Sequence, residues 1–206
     1  MTVPGTFDTS ARELIHAGLQ NLDEARSLFR QLSASGFDAA RCGLLLDALQ
    51  HVCDPDVALR NLVDIVNAQV SQGRALDDIM PDDTAFRQLV AVLGVSDAMG
   101  KLMRFRPDLV QAAATDHCNS HLYNHDQRRA HVLESVGADP NDRMSPTATM
   151  DLANAATALR RTYRNQLAAI IAQDTMSDDP IALQPRISSE LSDLADAALE
   201  GALAIA

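Results

Sequence analysis

Apolar residues recur at steps of three and four along almost the whole chain, and runs that alternate residue by residue are nearly absent. That period predicts helices rather than strands. Ser10-Ala11-Arg12-Glu13 is a capping box, and Asn21-Leu22-Asp23-Glu24, three residues past Gly18, offers a second cap, so two short helices are expected before Ser35-Gly36. A third is expected over about 38–51. Asp54 and Pro55 open a fourth, because Pro suits a first helical position and an Asp just before it favours the start. Its Leu59, Leu62, Val63 and Val66 face a core, and it fades near Gly73. Residues 76–82 read as a loop. Phe86, Leu89, Val90 and Leu93 mark the next helix, which is expected to break at Gly94; Ser96 caps a helix carrying Met99, Leu102 and Met103, and Pro107 starts another turn.

Two long amphipathic helices are expected at the end. In the first, Leu152, Ala156, Leu159, Tyr163, Leu167 and Ile170 form an apolar stripe, with Arg161 opposite and Arg160 and Arg164 flanking it. Tyr163, between Leu159 and Leu167, is expected to be largely buried. In the second, Ile187, Leu191, Leu194, Ala195, Ala198, Ala202 and Ile205 make a broad apolar face, and Ser189, Asp193, Asp196 and Glu200 a solvated one. The pattern still repeats at Ala206 with no Gly or Asn cap, which predicts that a further element follows and covers this end. Gly137, Pro140, Asn141 and Pro146 suggest a linker over 137–147, between an N-terminal helical subdomain, 1–136, and a helix pair, 148–206. The expected fold is all-α, an irregular helical bundle of about eight or nine helices.

Composition narrows the interior and the partners. The residues are 47% hydrophobic but only 3% aromatic, with no Trp, so aliphatic side chains on closely packed helices must fill the core. A chain of 206 residues can bury about 70% of its unfolded surface, enough for one core or two small ones. The net charge of −11 argues against a nucleic-acid backbone as partner. Cys42, Cys53 and Cys118 show no C-x-x-C spacing, and the first residues form neither a basic nor an apolar leader, so a reducing, cytoplasmic setting is expected. No apolar run is long enough for a membrane span.

Three clusters could carry chemistry. His117, His121 and His125 at steps of four would line one helix face, a ligand spacing for zinc. An exposed helix satisfies the same spacing; no carboxylate lies at a matching step, and Cys118 points away from that face, so no metal is assigned. Asp54-Pro55-Asp56 has the spacing of a metal pair but reads as a helix opening. Arg160, Arg161 and Arg164, and separately Lys101, Arg104 and Arg106, are the dense positive groups, where a phosphate or an acidic partner surface could dock; solvated faces paired with nearby carboxylates are the simpler reading.

Several stretches in order resemble one family. Leu159-Arg160-Arg161-Thr162-Tyr163-Arg164-Asn165-Gln166-Leu167, then Ala172-Gln173-Asp174, then the run from Glu190 to Glu200, resemble the N-terminal region of bifunctional glutamine synthetase adenylyltransferase/adenylyl-removing enzymes. So do the run from Asp54 to Leu62, the run from Leu89 to Ser96 continuing to Arg106-Pro107-Asp108-Leu109, and Val136-Gly137-Ala138-Asp139-Pro140. The resemblance implies a parent nucleotidyltransferase with two reactions on a glutamine synthetase tyrosine. They are ATP- and magnesium-dependent adenylylation and phosphate-driven removal of AMP as ADP, both governed by a nitrogen-regulatory signal protein. In such enzymes the chemistry belongs to a core with a Gly-rich turn and a strand bearing Asp-x-Asp. Nothing here fits that description: Gly94-Val95-Ser96-Asp97 imitates the turn, but Ala98-Met99-Gly100-Lys101 follows with no second carboxylate. The resemblance therefore implies a non-catalytic helical fragment, with no catalytic or cofactor-binding residue of its own. A free-standing helical interaction module is the rival reading, and no repeat of about 34 or 40 residues recurs to support a solenoid.

Overall fold

The computed structural model describes residues 9–114, 123–177 and 179–206, apart from the side chains of 78 and 79. Eleven helical segments and no strand occur among the described residues, so the fold is all-α. The chain divides into two compact units, Met1–Thr115 and Asp116–Ala206.

The first unit contains α1 (Ala11–His16), α2 (Leu22–Ala34), α3 (Ala39–Leu49), α4 (Pro55–Ser71), α5 (Leu76–Ile79), α6 (Asp83–Val95), α7 (Asp97–Met103) and α8 (Pro107–Ala114). Most of these begin where the sequence supplies an acceptor for free amides. Ser10, Asn21, Asp38, Asp54, Asp82 and Ser96 each accept a backbone N–H three residues on. Central to the unit is α4, which packs on α2, α6 and α7, while α6 packs in turn on α3 and α8. Leu59, Leu62, Ile65 and Val66 of α4 and Phe86, Leu89, Val90 and Leu93 of α6 are buried. Each such side chain withdrawn from water contributes about 1.5–3 kcal/mol, enough to hold helices too short to persist alone.

Two expectations for this unit need correction. Gly94 does not break a helix, since α6 continues through it to Val95. A Cβ there would lie 2.9 Å from the Val52 Cβ and 3.3 Å from the Asp54 carbonyl oxygen, so the glycine permits the turn before α4 to approach α6 closely. Within the stretch read as a loop, 76–82, Leu76–Ile79 forms one helical turn. Asp77 there is ion-paired with Arg41 of α3, a tertiary contact that periodicity does not register.

The second unit contains α9 (His125–Ser135), α10 (Leu152–Thr175) and α11 (Pro180–Ile205), which all pack on one another. Its helices α9 and α10 are joined through the stretch that the sequence marks as a linker. Gly137, at φ +77°, ends α9, and the Ala138 amide donates back to the Leu133 carbonyl at 2.9 Å. The Thr149 amide and hydroxyl both donate to the Gly137 carbonyl, at 3.2 and 2.7 Å, and the Ala148 amide donates to the Ala204 carbonyl at 2.7 Å. The connection is thus pinned to the ends of α9 and α11.

The inward faces of the last two helices are rotated from the predicted stripes. On α11 the buried row is Ile187, Glu190, Leu194, Ala197, Gly201 and Ala204, while Leu191 is exposed. On α10 the buried residues are Ala155, Gln166, Ala168, Ile170 and Ala172; Leu152 is exposed, and Tyr163 is 37% exposed rather than buried. Leu159 and Leu167 are partly buried against two separate apolar clusters, one around Leu133 and Ala204, the other around Ile170 and Leu194. The rotation has a polar cause: Gln166 and Glu190 are turned inward to meet an arginine of α9.

Candidate functional site: two arginines of α9

Helix α9 is mostly polar in sequence and begins at a reciprocal cap. Asn124 Oδ1 accepts the Gln127 amide at 2.9 Å, and Gln127 Oε1 accepts the Asn124 amide at 3.0 Å. The helix contributes Val132 and Leu133 to the core, and with them Arg128, which is only 1% exposed. Arg128 Nη1 donates to Gln166 Oε1 at 2.7 Å and Nη2 to Glu190 Oε2 at 3.2 Å. Glu190 Oε1 also accepts from Arg186 Nε, one helical turn earlier, at 3.2 Å. The Arg128 Nε atom is buried with no hydrogen-bond partner among the described residues.

Burial acts against both charges of this pair. It pushes the Glu190 carboxyl above its ordinary value, opposed by the guanidinium groups of Arg128 and Arg186. It pushes the Arg128 guanidinium down, opposed chiefly by Glu190, yet arginine begins so high that the group stays charged at neutral pH. A buried pair of this kind adds little net stability over an apolar replacement, but it penalises any arrangement of the three helices that leaves one charge unpaired.

Arg129, the next residue, faces the linking stretch. Its Nε donates to Glu200 Oε2 at 2.7 Å and its Nη2 to Glu200 Oε1 at 2.5 Å, a two-pronged pair that pushes the arginine further up. Its remaining donors reach the carbonyls of Pro140 at 2.6 Å and Asp142 at 3.0 Å. Glu200, expected on a solvated face, is therefore a structural anchor. Nearby, Glu134, Asp139, Asp142, Ser145, Thr147 and Thr149 line an open pocket.

Of the histidines singled out as zinc candidates, His117 and His121 lie outside the described residues. His125 opens α9, and its Nδ1 lies 3.1 Å from Asp193 Oδ1 of α11. Among the described residues no three His, Cys, Asp or Glu side chains assemble into a group able to hold a metal. Both carboxylates of Asp54-Pro55-Asp56 are engaged with backbone: Asp54 accepts the Val57 amide at 2.9 Å, and Asp56 accepts the amides of Gln20 and Asn21 at 3.0 and 3.3 Å. Lys101, Arg104 and Arg106 pair with Asp97, Asp64 and Asp108 respectively. Arg160, Arg161 and Arg164 lie together on α10, with Arg160 and Arg161 exposed and Arg164 half-buried. Arg160 and Arg164 make no ion pair among the described residues. On α11, the row Leu191, Ala195, Leu199 and Leu203 is exposed, Leu199 by 65% and Leu203 by 76%.

Among the described residues these side chains form a frame of ion pairs and caps. Relatives give the frame its context. The chain is 64% identical over 200 residues to bifunctional glutamine synthetase adenylyltransferase/adenylyl-removing enzymes of two Bifidobacterium longum strains, DJO10A and NCC 2705, covering 97% of this chain and 19% of theirs. Enzymes of the same name from Corynebacterium efficiens and Cutibacterium acnes are 34% and 28% identical, over 79% and 94% of this chain and 18% and 19% of theirs. No family model matches, and no solved structure matches. The chain spans about a fifth of the length of the Bifidobacterium relatives, 19%. By sequence it belongs to the family of bifunctional glutamine synthetase adenylyltransferase/adenylyl-removing enzymes.

Proposed function

We propose that this chain is the N-terminal helical part of the adenylyl-removing half of such an enzyme, and that it braces a catalytic core without supplying a reacting group. In the parent protein a tyrosine oxygen of glutamine synthetase would attack the α-phosphorus of ATP, becoming adenylylated and expelling pyrophosphate. In a separate reaction an oxygen of inorganic phosphate would attack the AMP phosphorus, breaking its bond to the tyrosine oxygen, which takes up a proton, and releasing ADP. Partners of the whole protein would be glutamine synthetase and a nitrogen-regulatory signal protein, and its setting the cytoplasm.

The identity of 64% across nearly the whole chain, at a fifth of the relatives' length, carries the reading. The use of the carboxylates supports the division of labour. In-line phosphoryl transfer needs carboxylates held free for magnesium, whereas Asp54 and Asp56 here accept backbone amides, and Glu190 and Glu200 hold arginines. These residues do not fit a magnesium-nucleotide site, so magnesium and ATP are assigned to the remainder of the parent enzyme. The exposed leucines of α11 suit a face that meets that remainder, and Arg160 and Arg164 suit an acidic or phosphate-bearing neighbour.

The intact polypeptide tests the family activity. Given glutamine synthetase, ATP and magnesium it should adenylylate a tyrosine, and given the adenylylated product and phosphate it should yield ADP. Absence of both activities in the folded, full-length protein would contradict the proposal.

A further inference from the structure

The contacts of Gln166 settle where its amide atoms lie. Arginine only donates, so the atom that Arg128 Nη1 reaches at 2.7 Å is the carbonyl oxygen, as placed. The amide nitrogen Nε2 is then directed to His131 Nδ1, 3.4 Å away. An amide NH₂ can only donate, so Nδ1 must present its lone pair and the proton of neutral His131 sits on Nε2. His131 is exposed on α9, open to proton exchange with solvent, and its ring lies against Tyr123 with centroids 5.2 Å apart.

Protonation at Nδ1 sets two donors against each other. Flipping the Gln166 amide would relieve that clash by turning its NH₂ toward Arg128, where it meets another donor. The flipped arrangement costs the buried guanidinium its hydrogen bond to Gln166, whereas the unflipped one keeps that bond and leaves the amide Nε2 opposed to the imidazolium; the guanidinium Nε has no partner among the described residues to compensate. In the flipped arrangement Glu190 alone would hold Arg128. The charged and titratable groups acting on the buried pair are Tyr123 before α9, and Arg186 and Asp193 on α11, with Asp193 itself paired to His125 and Tyr123 also against the His131 ring. We infer that His131 is a proton sensor for the C-terminal three-helix unit, its state relayed through the Gln166 amide to the buried Arg128–Glu190 pair.

NMR of the whole chain, with ¹⁵N in histidine, arginine and glutamine side chains, tests the relay as pH is lowered from about 8 to about 5. At the upper end the His131 ring should show the Nε2–H tautomer. As His131 protonates, the Gln166 amide and Arg128 guanidinium signals should shift with the same midpoint. His131→Phe keeps a ring beside Tyr123 at an exposed position and should leave the Gln166 and Arg128 signals flat, whereas His125→Phe should leave the coupled shift intact. An Nδ1–H tautomer at high pH, Arg128 and Gln166 signals that stay flat while His131 titrates, or a coupled shift that survives His131→Phe would each overturn the inference.

Discussion

Arg129 grips both carboxylate oxygens of Glu200, 71 residues later in the chain, and spends its other donors on the carbonyls of Pro140 and Asp142. One side chain thus joins α9, α11 and the stretch leading to α10. Arg129→Ala should remove all four hydrogen bonds and leave a partly buried carboxylate without its cation, costing about 2 kcal/mol. Urea denaturation reads the loss as a lower midpoint with the slope unchanged, and Glu200→Gln should lose less, because it can still accept. A midpoint unmoved by Arg129→Ala would show that the staple contributes nothing.

The α10 cap gives a pH-dependent expectation. Asp151 accepts the Asn154 amide at 3.0 Å, and that backbone bond, aided by the Asn154 side chain, holds its carboxyl below the ordinary aspartate value. A carboxyl lowered on folding stabilises at pH values above its unfolded pKa, and that contribution disappears as pH falls through its folded one. Asp151→Ala should therefore lower the melting temperature at pH 7 and make little difference at a pH low enough to protonate the folded-state carboxyl. A deficit equally large at both pH values would point to something other than the charged cap.

Gly94 offers a test of close approach against helix propensity. Alanine is the better helix former by about 1 kcal/mol, but its methyl would press on Val52 and the Asp54 carbonyl. Overpacking against a branched side chain and backbone costs about 1–3 kcal/mol. Gly94→Ala should destabilise the first unit by thermal melting, while stabilisation would mean that the turn before α4 yields freely.

The last helices test the corrected faces. Leu194 is buried beside Ile170 and Ile187, so Leu194→Ala should cost about 3 kcal/mol. Tyr163, more than a third exposed, should cost under about 1 kcal/mol when truncated. Chemical denaturation of the two variants side by side checks the order, and the reverse order would restore the face that hydrophobic periodicity suggests.

What could be read from the sequence follows from where its signals reside. Caps are local: Ser10, Asn21, Asp54 and Ser96 sit beside the amides they satisfy, so their helix starts are visible without the fold. Apolar rows are nearly as local, which is why the central helices α4 and α6 and their buried leucines were predictable. Buried polar residues are not. Gln166 and Glu190 count as outward-facing in any hydrophobic pattern, and only Arg128, brought from another helix, turns them inward and rotates both faces. Gly94 fails for the same reason, since the neighbour it accommodates, Val52, is packed on it by the fold rather than by helical spacing. Of the site candidates, the arginines of α10 were visible as a cluster, whereas the anchoring role of Arg129 and Glu200 needed the three-helix arrangement.

The most direct test of a non-catalytic frame is an assay of residues 1–206 alone. The purified chain is incubated with adenylylated glutamine synthetase, phosphate and magnesium, and ADP is followed. No ADP above the level without protein is the predicted result; sustained ADP release that persists after every trace of full-length enzyme is removed would contradict it and make the carboxylates of Asp54 and Asp56 the first residues to substitute.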